Sequence, residues 1–223
     1  PTPAATPTPM PTASGAPASG TILIDRATLL SLPTSGAAWT SLKARADLPA
    51  NAPNLSNQDD PNDVTALAKA LVYARTGEAR YRTETIAMLK AAVGTEYPGD
   101  TLGIARGVAP LVLAADLVGW RDPAWMSWLS DLRTWPNPDR GYTLISIHEK
   151  RPNNWGTHAG AGRIASDLYL RDMTDLAKAA SVFRGYLGDR TSYAGFTYGS
   201  DLSWQANPLT PVGGLAHTPA VRQ

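Results

Sequence analysis

The chain has 223 residues and a formal net charge of +1; 43% of its residues are hydrophobic and 17% are charged. This length can bury a core without disulfides or metals, as one large domain or two small ones. The near-zero charge gives no field to concentrate nucleic acid or anionic lipid. The absence of cysteine excludes disulfide frameworks and cysteine-ligated metal sites.

The first 20 residues contain six Pro, four Thr and five Ala, with no charged or aromatic residue. Such a stretch cannot bury enough apolar surface to offset its loss of conformational entropy, so we predict a disordered linker over residues 1–20. Tails of this composition often join exported domains to an anchor or to another module. We therefore expect a secreted or cell-surface protein whose signal peptide has been removed, the alternative being a terminus without function.

The body, residues 21–223, is predicted to be one all-α domain of antiparallel helical hairpins. We expect Asp60 or Asn62 to cap the second helix and Pro110 to kink or break the fourth. Apolar spacing and loop residues predict helices at 35–46, 61–76, 79–93, 101–117, 125–135, 155–170 and 174–187.

Segments 21–24 and 142–147 have the only β-like patterns, and each is a candidate short strand. No apolar run reaches the roughly 18 residues of a membrane span, because Asp116 interrupts the best one, 108–118. Helical hairpins of this size suit either a helical bundle or an α/α toroid.

Three patterns resemble ligand sites but lack essential parts. Residues 160–165 match a dinucleotide fingerprint without the strand that should precede it, so close helix packing is the better interpretation. Residues 57–63 lack the central glycine and the terminal glutamate of a calcium loop, and helix capping explains them better. His148, His158 and His217 have no zinc-ligand spacing. We therefore predict no metal and no cofactor.

The segment Arg151-Pro-Asn-Asn-Trp-Gly-Thr-His158 places two carboxamides, an indole and an imidazole at the start of a predicted helix. Asn154 is expected to cap the helix, which would leave Asn153 free. His158 follows Asn154 by four positions, so both side chains lie on one helix face. These groups suit ligand binding; the alternative is a capped helix with a hydrogen-bonded core histidine.

Residues 153–158 and the Ala/Gly-rich helix after them resemble the Asn-Asn-His motif helix of the alginate-lyase-like polysaccharide lyases. In that family a histidine directly follows the two asparagines, whereas here Trp155 holds that position and His158 lies three positions later. Two further stretches resemble the family's early helical hairpin and its next inner helix. These are Asp63 to Gly77 with Tyr81, and Leu102-Gly-Ile-Ala-Arg106 leading into Ala114-Ala-Asp116.

The resemblance covers roughly residues 22–211 and implies an incomplete α/α toroid whose cleft binds an acidic polysaccharide and cleaves it by β-elimination. In that reaction donors neutralise the uronate carboxylate, a base removes the proton at C5, and an acid protonates the departing O4. The implied catalytic residues are Asn154, His158 and Tyr198, with Tyr193 as a second candidate tyrosine. The implied substrate-binding residues are Asn153, Arg106, Trp155 and Trp204.

A full toroid needs more helices than this chain holds, so the C-terminal part of the domain is expected to be missing. We expect a monomer whose partner is an acidic polysaccharide. Two other functions stay open. One is a non-catalytic glycan-binding domain that uses Trp155, Trp204 and Tyr198 as stacking platforms. The other is an inverting helical glycosidase, for which the candidate carboxylates are Asp116, Asp167 and Asp201.

Overall fold

The computed structural model describes residues 22–197, and over this range the chain forms nine α-helices and no strand. The predicted all-α class is therefore confirmed for the described residues. The helices are α1 (Arg26–Ser31), α2 (Gly36–Ala46), α3 (Asn62–Thr76), α4 (Ala79–Ala92), α5 (Thr101–Leu117), α6 (Pro123–Thr134), α7 (Leu144–Lys150), α8 (Asn154–Leu170) and α9 (Met173–Tyr186).

Helix α5 occupies the centre of the described fold. It packs against α3 and α8. Helix α3 also contacts α2 and α4, and helix α8 also contacts α7 and α9. Its side chains at Val108, Leu111 and Val112 are fully or almost fully buried. On α8, a Cβ atom at Gly162 would lie only 3.3 Å from the Cβ of Val108, so this glycine permits the close approach of the two helices.

Our expectation that Pro110 kinks or breaks the fourth predicted helix is wrong in its stronger form, because α5 runs unbroken from Thr101 to Leu117. Proline in a helix interior costs about 3 kcal/mol through one lost hydrogen bond and a steric clash. The apolar side chains that α5 buries against two neighbouring helices offset this cost.

Neither β-like segment forms a strand within the described residues. Leu144–Lys150 is helix α7, and Ile22 to Ile24 form bends. The start of α7 is a capping box. The Ser146 amide donates to Thr143 Oγ1 at 3.0 Å, and the Thr143 amide donates to Ser146 Oγ at 2.8 Å. These bonds satisfy the two backbone N–H groups, which in a strand would need partners on a neighbouring strand.

An aspartate caps α5 beside the candidate site, but the cap predicted for α3 is wrong. Asp100 accepts hydrogen bonds from Leu102 N and Gly103 N at the start of α5. At α3 neither Asp60 nor Asn62 caps, since Pro61 holds the N-cap position without a side-chain bond. Asp60 instead accepts from the Asn54 amide at 2.6 Å, which closes the loop before α3.

In the part of the chain that the structure describes, none of the helices has the length and apolar character needed to cross a bilayer.

Candidate functional site

The start of α8 presents the two adjacent asparagines differently from the sequence-based expectation. Asn153, not Asn154, is the N-cap, and its Oδ1 accepts from Trp155 N at 3.1 Å. The backbone of Asn153 is extended, whereas Asn154 is already helical, and only the residue before the first helical one can cap. Asn153 is 5% exposed and therefore serves the helix. The half-buried Asn154 carboxamide has no hydrogen bond to any described residue.

His158 lies one turn after Asn154 on α8 and is exposed, although neighbouring atoms shield part of its ring from water. Its ring makes no hydrogen bond with the described residues. This partial burial lowers the pKa of His158, and the positive charge of Arg106 lowers it further. The imidazole is therefore neutral at neutral pH and able to accept a proton.

Arg106 of α5 connects His158 to a polar pocket. Its Nη1 donates to the carbonyl of Gln58 at 2.7 Å, and the side chain lines a pocket of about 170 Å³ between loop 53–61 and the starts of α3 and α5. Asp63 lines the same pocket. Burial raises the pKa of Asp63, while a hydrogen bond from Val64 N and the charge of Arg106 oppose this effect.

Two glycines of α5 let loop 53–61 lie directly on the helix. A Cβ at Gly103 would lie 2.7 Å from the Leu55 carbonyl oxygen, and one at Gly107 would lie 2.5 Å from Leu55 Cδ2. The polar pocket was missed by sequence reasoning, which interpreted residues 57–63 as a helix cap. The available signal was the spacing of Gly103 and Gly107, four positions apart on an otherwise apolar helix.

A cluster of aromatic and basic side chains lies where α7 meets α8. The guanidinium carbons of Arg151 and Arg140 lie 4.1 and 5.1 Å from the Trp155 ring centroid. Lys150 Nζ lies 6.0 Å from the Tyr142 ring centroid. Trp155 thus stacks on its own cations instead of presenting a bare platform to a sugar. The cluster adds positive charge beside the start of α8.

The core histidine of this region is His148, not His158. His148 is 1% exposed, and burial, followed by the charge of Arg163, lowers its pKa to about 3. Tyr186 packs edge-on against the ring at 5.5 Å between centroids, and its hydroxyl donates to the His148 carbonyl at 2.5 Å. His148 therefore supports the fold.

A buried ion-pair network joins α6, α8 and α9. Arg163, fully buried, donates from Nε and Nη2 to both carboxylate oxygens of Asp175, at 2.8 and 2.7 Å. Arg133 pairs with Asp167, which is also fully buried. Burial, followed by the charge of Asp175, raises the pKa of Asp167 to about 7. This network holds the three helices together.

The two described carboxylates named for a glycosidase both have partners within the fold. Asp167 lies inside the ion-pair network, and Asp116 accepts a hydrogen bond from the Ile22 amide at 2.7 Å. Asp201 lies outside the described residues. The described residues contain no group of three or more acidic or histidine side chains that could hold a metal ion.

Of the candidate residues Tyr193, Tyr198 and Trp204, the structure describes Tyr193. Tyr193 donates its hydroxyl to the Glu149 carbonyl at 2.8 Å and packs against Phe196, so it is a structural residue. Tyr198 and Trp204 lie outside the described residues. The structure therefore brings Arg106 and His158 near each other and places Asn154 one turn from His158.

No protein-family model, curated protein or solved structure matches this chain.

Proposed function

We propose that this protein is a lyase that cleaves a uronate-containing polysaccharide by β-elimination. The observation that carries the proposal is Arg106, which lines the polar pocket and is close enough to the exposed His158 for its charge to lower the pKa of that imidazole. Elimination needs a cation for the uronate carboxylate and a neutral base for the proton at C5, and these two side chains have those properties.

The roles follow from the chemistry of each group. Arg106 binds the carboxylate next to C5, where negative charge grows as the proton leaves. The carboxamide of Asn154, which has no hydrogen bond with a described residue, donates to the same oxygens. The neutral imidazole of His158 takes the proton. Asn153 positions the helix that carries Asn154 and His158, because its side chain caps that helix.

The aromatic and basic cluster supports an acidic polymer as the substrate. Arg140 and Lys150 are exposed at the junction of α7 and α8, so they can attract carboxylates of sugar residues beyond the reacting one. We also propose that the helical hairpins belong to an incomplete α/α toroid in a secreted, monomeric enzyme. Tyr198 and Trp204 keep their proposed catalytic and substrate-binding roles.

Incubation of the purified chain with alginate, glucuronan and chondroitin tests the proposal. A lyase produces an unsaturated uronate that absorbs in the ultraviolet, and Arg106→Ala should abolish that signal. An Arg26→Ala variant is the control, because it removes an exposed cation of α1 that lines neither the polar pocket nor the aromatic and basic cluster. New reducing ends without the absorbance would indicate hydrolysis. Retained polysaccharide binding without either product would indicate a glycan-binding module. Either result overturns the lyase.

A further inference from the structure

We propose that Asp63 is the general acid that protonates the departing O4. This inference deepens the proposed lyase function and rests on it. Asp63 is in the first turn of α3, and its carboxylate shares the polar pocket with Arg106. The pocket therefore contains a carboxyl group next to the cation that would bind the uronate.

The hydrogen bonds of Asp63 leave one oxygen available. Its Oδ1 accepts from Val64 N at 2.7 Å, whereas its Oδ2 has no hydrogen bond from a described residue. That second oxygen faces α5, where it would lie 4.0 Å from a Cβ at Gly107. Leu55 Cδ2 lies closer to that Cβ position, at 2.5 Å, so the Leu55 side chain packs over Gly107 beside the carboxyl group.

The other two carboxylates that line the pocket are less suited to the role. Asp60 has both oxygens engaged, because they accept from Asn54 N at 2.6 Å and from Asn62 Nδ2 at 2.5 Å. Asp59 is exposed on loop 53–61. Asp63 is half-buried, and burial together with the charge of Asp60 raises its pKa, which favours the protonated form that an acid needs.

The step balances with His158 as the base and Asp63 as the acid, and the charge of Arg106 acts on both groups. His158 takes the C5 proton, and the electrons of that C–H bond form the C4–C5 double bond. The C4–O4 bond breaks, and O4 takes the proton of Asp63, which leaves a new hydroxyl end and an Asp63 carboxylate. The imidazolium and the carboxylate then return to their starting states by exchanging protons with water.

The test compares Asp63→Asn with Asp131→Asn, which changes an exposed carboxylate of α6 outside the pocket, on two substrates. One is the polyuronate that the wild type cleaves; the other is an oligouronate whose reacting O4 carries a 4-nitrophenyl group. The nitrophenolate departs without an acid. Asp63→Asn should therefore lose about a hundredfold or more on the polyuronate yet stay near the wild type on the aryl ether. Asp131→Asn should match the wild type on both, and His158→Ala should lose both activities.

A pH profile gives a second readout that a structural role would not move. Polyuronate cleavage by the wild type should decline on the alkaline side as Asp63 loses its proton, and Asp63→Asn should lack this decline. Equal losses on both substrates, or normal polyuronate cleavage by a folded Asp63→Asn, would overturn the acid role and leave the lyase standing. A wild type that forms no unsaturated product overturns both.

Discussion

His148 and His158 are on neighbouring helices in environments that give the same imidazole different properties. His148 is closed in by Tyr186, Arg163 and α8, while His158 is exposed beside Arg106. Both have a lowered pKa, so both are neutral at neutral pH. The two rings differ in exposure, since His158 is exposed and His148 is 1% exposed.

The two histidines should therefore respond in opposite ways to truncation. His158→Ala should abolish product formation and change the free energy of unfolding by less than about 1 kcal/mol, because an exposed side chain contributes little packing. His148→Ala is the matched comparison. It should cost about 2–4 kcal/mol through a cavity beneath Tyr186, with a normal rate per folded molecule. Urea denaturation and initial rates measure both. A large loss of stability at His158 would contradict the site.

The two asparagines provide a similar contrast. Asn153→Ala should cost about 1 kcal/mol of stability, since it removes the cap on Trp155 N. Asn154→Ala should leave stability nearly unchanged and lower the rate by about a hundredfold, as expected for one lost donor to the transition state. Thermal melts and turnover on the cleaved polysaccharide separate the two effects. If Asn153 instead carried the rate effect, the assignment of roles within α8 would be reversed.

For single residues, the sequence predicts which residue types are at the site but not which role each of them has. Either asparagine can cap a helix, and the helix boundary, shifted by one residue, decides which one does. Nor does the sequence predict which histidine is buried, since helical spacing does not indicate whether another helix covers an imidazole. His148 is buried because α9 places Tyr186 against it, a contact 38 positions away in sequence.

Among the elements, α8 depends on small residues at its contacts. A Cβ at Gly160 would lie 2.8 Å from two ring atoms of His148, while one at Gly162 would lie 3.3 Å from Val108. Gly160→Ala should therefore cost about 1–3 kcal/mol despite the better helix propensity of alanine. Gly162→Ala, with more space, should be closer to neutral. Chemical denaturation of the pair checks this, and equal costs would contradict the packing.

Most helix positions followed from the sequence because apolar spacing and turn residues are local signals. The predicted boundaries of α3, α4, α5 and α9 agree with the structure within about a residue. Helix α7 was missed since its β-branched residues suggest a strand, and its capping box supplies the competing local signal. The continuity of α5 through Pro110 was not predictable locally, because packing against two other helices outweighs the proline.

At the scale of the whole molecule, two buried groups give opposite pH dependences to stability. The folded-state pKa of Asp167, about 7, lies above its ordinary value of 3.8. Its contribution is therefore fully present below about pH 4 and is lost as the pH rises to 7. The folded-state pKa of His148, about 3, lies below its ordinary 6.5. Its contribution is present above pH 6.5 and is lost as the pH falls toward 3.

Asp167→Asn isolates one of these effects. As the pH rises from 4.5 to 7.5, the wild type should lose stability, because Asp167 loses a proton that the folded state prefers to keep. The variant has no such proton, so its free energy of unfolding should rise relative to that of the wild type by at least about 1 kcal/mol. Urea denaturation at both pH values measures the difference, and Asp131→Asn on the surface of α6 is the control. A difference between variant and wild type that does not change with pH would contradict the raised pKa.

The polar pocket depends on the fold of the whole molecule, and it is the part of the site that the sequence does not predict. It joins the loop before α3 to α5, whose residues lie about 45 positions further along the chain, as in the bond from Arg106 to Gln58. No local sequence pattern predicts this contact between the loop and α5. The two glycines of α5 indicate a close approach but not its partner.

The hydrogen bond from the Ile22 amide to Asp116 has a mechanical consequence. It fastens the first described residue to α5, 94 positions further along the chain. A load applied through the preceding 21 residues, for example by a surface to which they are attached, would reach the central helix first. It would act through this partly buried bond, near the C-terminal end of α5, and through the packing of Ile22 and Ile24 against the core. Tension on the tail would thus be borne by the core, at the far end of the helix from the proposed reaction site.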